Sequence, residues 1–282
     1  MKQARPSALR ERRVTALLVN GALLIVAAVA LAPIVWMVSV SFMQPGEASQ
    51  FPPPWWPDQP TLHNYRELFL RAGMGRYFAN SLVIATGVTL VSVLLNTLAG
   101  YAFAKLQFKG RERTFRALLA ALVIPAQVAM MPLFLLLKQM GLVNTYFGAM
   151  ATGLASIFGL FLVRQYARTL PDELLEAARI DGAGELRIFF QIVLPALRPI
   201  LVTLAIFAFL GAWNDFMWPL IVLGDQSYQT LPVALASLSR EHVQDNELMM
   251  AGAVVTVIPV LVLFLVLQRY YLQGLLVGSV KG

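Results

Sequence analysis

Few side chains in this sequence can do chemistry. The 282 residues include no cysteine, which excludes thiolate catalysis and Cys-ligated metal centres. The two histidines, His63 and His242, stand far apart and make a poor metal site, so no metal is expected. No Gly-x-x-x-x-Gly-Lys-Ser/Thr phosphate loop occurs, so the chain is not expected to hydrolyse ATP itself. One acid, Asp215, beside Asn214, falls inside a long apolar run. An acid in such a run is a functional candidate by default. Counted from Pro199 at about 1.5 Å per residue, Asp215 lies roughly 24 Å along a helix, close to the far interface of a membrane. Trp213 and Trp218 flank it as interfacial residues would. Two roles stand open for it: a structural bond to a neighbouring backbone or subunit, and gating or substrate contact. Asn96, Gln127, Asn144 and Thr203 offer hydrogen bonds to a polar solute, and equally to neighbouring helices. An enzyme buried in a membrane needs a nucleophile with its base, or a metal set, and neither is present.

The elements that position these residues are membrane helices. Hydrophobic residues make up 58% of the chain and charged ones 13%, against about 25% charged in an average soluble domain. A soluble fold has too few charges here to cover its exterior. Six stretches reach the roughly 20 residues needed to cross about 30 Å of hydrocarbon. They are residues 14–46, 77–104, 117–137, 139–163, 199–224 and 248–268. No ten-residue alternation of the membrane-barrel kind recurs. The expected fold is therefore all-α, with six transmembrane helices.

The 22 Lys and Arg residues set the direction. Seventeen fall on one side: Lys2, Arg5, Arg10, Arg12 and Arg13; Lys105, Lys109, Arg111, Arg113 and Arg116; Arg164, Arg168, Arg179, Arg187 and Arg198; Arg269 and Lys281. The other side holds Arg66, Arg71, Arg76, Lys138 and Arg240. The positive-inside rule puts both termini in the cytoplasm. The net charge of +7 is thus a topology signal, and a nucleic-acid partner is not expected. The N-terminal run also resembles a signal peptide, with Ala28-Val29-Ala30 as a cleavage site. Its length favours a retained helix.

Outside the spans, residues 44–76 are Pro- and Trp-rich, and a short amphipathic helix is predicted after Thr61 with Tyr65, Leu68 and Phe69 on one side. The loop 164–198 is the most patterned. Thr169-Leu170-Pro171-Asp172 predicts a side-chain-capped helix start. Leu174, Leu175 and Ala178 make an apolar stripe, with Asp172, Glu176 and Arg179 opposite. Gly182 falls where a left-handed cap ends a helix. A second helix is predicted over 185–193, with Leu186, Phe189, Phe190 and Val193 apolar and Pro195 stopping it. Such a helix–turn–helix either packs on the bundle or receives a partner at its small-residue turn.

Glu176-Ala177-Ala178, Gly182 after three further residues, then Ile192, Leu194 and Pro195 after nine more, match the EAA motif of ABC-importer permeases without a departure. Asp181 stands beside Gly182 in that match. Other stretches resemble carbohydrate importers of the maltose-permease MalG type. They are Trp56-Pro57 with Pro60-Thr61-Leu62-His63-Asn64-Tyr65, Trp213-Asn214-Asp215-Phe216-Met217-Trp218-Pro219-Leu220, and the closing Gly274 to Gly282. The resemblance runs from about residue 14 to the end. It implies one permease half of a type I importer, with cytoplasmic coupling helices in loop 164–198 docking on an ATPase. It implies a second permease subunit in a heterodimer, two ATPase subunits binding ATP and Mg, and an extracytoplasmic solute-binding protein. It also implies a bacterial inner-membrane location in contact with lipid. Its organisation would be a cytoplasmic N-terminus over 1–13, a permease domain over 14–272 and a cytoplasmic tail over 273–282. The third outer loop, about Gly224–Asn246, would reach the binding protein. A stand-alone secondary transporter is the alternative, but it calls for internal repeats and ion-coupling charges that this sequence does not show. Which solute is carried, and by which residues, stays open.

Overall fold

The computed structural model describes residues 6–241 and 245–277, with side chains over 15–238 and 245–268. His242, the extreme N-terminus and residues 278–282 of the expected tail lie outside the described residues. Every regular element among the described residues is helical, and the chain divides into two compact units.

The first unit comprises Met1–Ala72 and Leu238–Val255. Helix α1 (Pro6–Val40) is predominantly apolar from Thr15 on, and Leu18, Leu24, Ile25 and Val26 point outward, as a lipid-facing helix requires. Its last two residues, Ser39 and Val40, are buried, and the turn that follows is capped from a distance. Asn64, in helix α2 (His63–Leu70), donates its Nδ2 to the carbonyls of Ser41 and Met43 at 3.0 and 2.9 Å. Leu68 of α2 is fully buried, while Phe69 is exposed and Tyr65 only half-buried, so the predicted helix forms with a narrower inward face. Two buried carboxylates organise the segment between α1 and α2. Glu47 accepts the N–H groups of Gln44 and Asp58, and Glu247 accepts that of Ala48 at 2.7 Å.

The second unit comprises Gly73–Ser237 and Thr256–Gly282. Its axis is α3 (Met74–Lys105), which packs along α7 and α11 once those are formed by the later sequence. The third expected span is two helices, α4 (Arg111–Ala121) and α5 (Ala126–Gln139), bent by 102°. Pro125 sits at the bend as the N-cap of α5, and a proline disfavours helical backbone in the residue before it. The fourth expected span is also broken. A turn with Gly141 at φ 68 and Asn144 at φ 59 leads into α6 (Tyr146–Met150), capped by Thr145. Ser156 then caps α7 (Ile157–Ala167), which holds 11 residues. Four further pieces follow: α8 (Asp172–Ile180), α9 (Glu185–Ile188), a π turn over Phe189–Val193 and α10 (Leu194–Ala196). The fifth expected span is α11 (Arg198–Trp213) and α12 (Met217–Val222). Helices α13 (Leu231–Glu241) and α14 (Asn246–Val277) follow.

By length and composition, three of the described helical segments can cross a membrane alone: Thr15–Val40, Met74–Lys105 and Asn246–Gln268. Two bent pairs pass the same test, Arg111–Ala121 with Ala126–Gln139 and Glu185–Ala196 with Arg198–Trp213. The shorter α7 supplies the apolar helix of the fourth expected span.

Candidate coupling site

The loop 164–198 folds into the predicted hairpin, and its turn is built by backbone geometry. Gly182 has φ 80, the left-handed conformation that residues with a Cβ reach only at a cost. The N–H of Gly182 bonds Arg179 O and that of Ala183 bonds Ala178 O, both at 3.0 Å. This is a Schellman cap, and it reverses the chain after α8. Thr169 does not cap α8. Its hydroxyl donates to Tyr166 O at 2.7 Å instead, closing the end of α7, and Pro171 holds the N-cap position. Nor does Pro195 stop the second limb. Without an N–H it cannot bond the carbonyl four residues back, and the turn before it widens into the π form. The limb runs on to Leu197 and there bends by 81° into α11.

The hairpin has two faces. Leu175, Ile188, Phe189, Val193 and Leu197 are buried in a core with Tyr101, Val163 and Leu204. Of the motif residues, Ala178, Ile192 and Leu194 pack against that core. Glu176, Ala177, Asp181, Gly182 and Pro195 are exposed. Beside them, Ile180 is 86% and Leu186 70% exposed, and Leu174 and Phe190 are open as well. The predicted stripes are thus split: Leu175 faces in and Leu174 out, Phe189 in and Phe190 out. The motif divides accordingly between anchoring residues and a small-residue, apolar outer surface.

The charges on the hairpin pair differently from the one-turn pattern in sequence. Arg179 reaches across the turn, not to Glu176, and its Nε donates to Glu185 Oε1 at 2.7 Å. The other carboxylate oxygen, Oε2, accepts the Tyr101 hydroxyl at 3.0 Å. The Arg179 hydrogen bond holds the Glu185 carboxyl below its ordinary range, against partial burial. One turn along α3, Lys105 Nζ donates to Leu170 O and to Asp172 Oδ1 at 2.5 and 2.7 Å. Arg164 is buried. Its guanidinium donates to Phe103 O at 3.2 Å and Glu112 Oε2 at 3.0 Å, and it lies 3.7 Å from the Phe115 ring centroid. These four residues, Tyr101, Lys105, Arg164 and Glu185, did not stand out in sequence. The one signal was the spacing of Tyr101 and Lys105, which puts both on one face of the last turn of α3.

The second candidate region lies at the break between α11 and α12. Asp215 is half-buried, and its Oδ1 accepts the Trp218 N–H at 3.3 Å, bonding the first turn of α12. Asn214 is exposed and donates to Leu210 O at 2.9 Å. The flanking tryptophans face inward. Trp213 and Trp218 are fully buried, and their indole N–H groups bond Thr256 O and Gly148 O at 3.1 and 3.0 Å. Asp215 shares a cleft of ≈ 300 Å³ with Ser92, Thr152, Gly153 and Ser156. Two non-helical stretches therefore line one cleft, the arrangement in which irregular backbone is tolerated at membrane depth.

The dispersed polar residues divide from that cleft. Asn96 is buried and fully used: its Nδ2 donates to Ser92 O and Oγ, and its Oδ1 accepts Ser156 N–H. Asn144 Oδ1 accepts the Asp225 N–H, and Thr203 bonds Pro199 O within its own helix. Gln127 is exposed.

Comparison with known proteins identifies the family and the fold. Residues 96–277 match the family described as binding-protein-dependent transport system inner membrane component. The arabinooligosaccharides transport system permease protein AraQ of Halalkalibacterium halodurans is 41% identical over 227 residues, covering 80% of this chain and 81% of that protein. The diacetylchitobiose uptake system permease protein NgcG of Streptomyces coelicolor is 36% identical, covering 95% of this chain and 89% of that one. A crystal structure of a bacterial ABC transporter involved in the import of the polysaccharide alginate superposes with a TM-score of 0.80 at 22% identity, over 96% of this chain and 100% of that one, and so shares the fold. With the hairpin, the broken helices and these relatives in view, the chain is a multi-pass membrane protein that belongs to the family of binding-protein-dependent transport system inner membrane components, a transport permease and not an enzyme.

Proposed function

We propose that this chain is one permease half of an ATP-driven importer that brings a carbohydrate, or a related small polar solute, into a bacterial cell. The observation that carries the reading is the hairpin. Its inner face is anchored by Leu175, Ile188 and Phe189, while its outer face leaves Ile180, Leu186 and Phe190 uncovered beside the small residues Ala177 and Gly182. Apolar side chains rimmed by charge mark a protein-docking surface. In this reading the ATPase docks there, binds ATP and Mg, and works the permease through Glu176, Ala177, Ala178, Asp181, Gly182, Ile192, Leu194 and Pro195. A second permease subunit completes a heterodimer, a second ATPase completes the pair, and a solute-binding protein delivers cargo from outside. The bias of 17 of 22 basic residues supports an inner-membrane topology with both termini and the hairpin in the cytoplasm. Carbohydrate as cargo follows the printed names of the arabinooligosaccharide and diacetylchitobiose relatives.

Affinity purification of the tagged chain from its own membranes tests this. The reading expects an ATPase with a phosphate loop and a second permease in the eluate, and uptake of labelled arabinotriose or chitobiose that stops when ATP is depleted. Purification of the chain alone, with uptake driven by an ion gradient, would replace the importer by a secondary transporter.

A further inference from the structure

Besides the apolar core it shares with Val163 and Leu204, the hairpin is tied to the cleft by the backbone and by polar bonds to α3. Along the backbone, α9 runs through a π turn into α10, and α10 meets α11 at an 81° bend, so the two are not one straight rod. The polar route is through α3. Its last turn holds the hairpin at two separate points. Tyr101 bonds Glu185 at the start of α9, and Lys105 bonds Leu170 O and Asp172 at the start of α8. Arg179 closes the set by linking the end of α8 to the same Glu185. Lys105 is almost fully buried although its partner Asp172 is exposed, so this contact is packed in place. The same helix forms one wall of the cleft. Ile84, Val88 and Ser92 line it, and Ser92 lies nine residues from Tyr101, about 14 Å along a continuous α-helix.

We infer that Tyr101, Lys105 and Glu185 form a latch that passes movement of the hairpin to α3, and through it to the cleft wall. They act as positioning residues. None of them lines the cleft. The inference rests on the importer reading, since that reading supplies the ATPase that moves the hairpin. The latch is local and polar, so its parts can be removed one at a time. Tyr101→Phe deletes the hydroxyl and leaves the ring against Phe189, where the centroids are 5.9 Å apart. Glu185→Gln removes the charge that holds both Arg179 and Tyr101 and keeps the side-chain shape.

The chain contains no cysteine, so a Thr152→Cys substitution gives one exposed reporter in the cleft lining, across from the α3 wall. The test uses the complex as purified from membranes, with its ATPases attached. The rate of maleimide labelling at that position is measured without nucleotide and with Mg-ATP plus vanadate. In the latched chain the two rates should differ by about fivefold or more. With Tyr101→Phe, Glu185→Gln or both, the difference should fall below about twofold, and the double variant should be no worse than either single one. The ATPase should co-purify in normal amount throughout. The latch is overturned if the variants keep the full nucleotide-dependent difference, if the latched chain shows none, or if the variants lose the ATPase itself. Failure of any ATPase to co-purify with the latched chain would instead remove the importer reading.

Discussion

At the scale of single residues, Gly182 and Asp215 give the sharpest expectations. Gly182 sits at φ 80 with open space around an added Cβ, so the cost of a side chain there is conformational. It amounts to about 1 kcal/mol or more, and it distorts the turn that sets both hairpin limbs. Gly182→Leu should leave the helices inserted but weaken ATPase pull-down and stop uptake. Glu176→Ala should be milder, because Glu176 is exposed and Arg179 is committed to Glu185. Equal pull-down and uptake for Gly182→Leu and wild type would remove the hairpin from the coupling path. For Asp215, the bond to the Trp218 N–H needs only an acceptor oxygen, which an amide also supplies. Asp215→Asn should keep assembly and reduce uptake only in part. Full loss of uptake in a normally assembled complex would mean that the charge in the cleft is what matters.

Between elements, α3 and α7 approach each other closely. A Cβ on Gly100 would lie 2.6 Å from Val163 Cγ1 and 3.0 Å from the backbone nitrogen of Arg164. The helices can approach this closely only because the side chain is absent. Gly100→Ala should destabilise the folded protein by about 1–3 kcal/mol, read as a lower melting temperature in detergent. An unchanged melting temperature would show that the helices part at little cost. The hairpin's attachment to α3 should depend on pH through Glu185, whose carboxyl Arg179 holds below its ordinary range. With the folded value depressed, the stabilisation is complete above the unfolded value of about 4.3 and is lost as the pH falls through the folded one. Protease cleavage at the Gly182–Gly184 turn should therefore stay constant from neutral pH to about 5 and rise below about 4. Glu185→Gln should flatten that profile. The same steep rise in the Gln variant would assign it to other carboxylates.

For the whole molecule, the distribution of basic residues makes a direct prediction of topology. Reporter fusions after Arg116 and Arg168 should read as cytoplasmic, and fusions near Asp58 and Gln229 as external. An external signal at Arg168 would take the hairpin away from any ATPase. What the sequence determined by itself is what depends on composition and local rules. The apolar content determined a membrane protein, the Pro, Gly and Ser positions determined where chain direction changes, and Gly182 with the spacing from Glu176 to Pro195 determined the hairpin turn. Spans 117–137 and 139–163 read as continuous because hydropathy sums apolar residues without asking whether the backbone between them stays helical, and Pro125, Gly141 and Ser156 interrupt it. Only the tertiary structure decided which partner each polar group takes. Trp213 and Trp218 are as apolar-flanked in sequence as interfacial residues, yet their N–H groups find carbonyls on distant segments and they bury completely. Arg179 had an acid one turn away and chose another across the turn, and Tyr101 found Glu185 from 84 positions off, because pairing follows distance in space and the packing of α3 against the hairpin sets that distance.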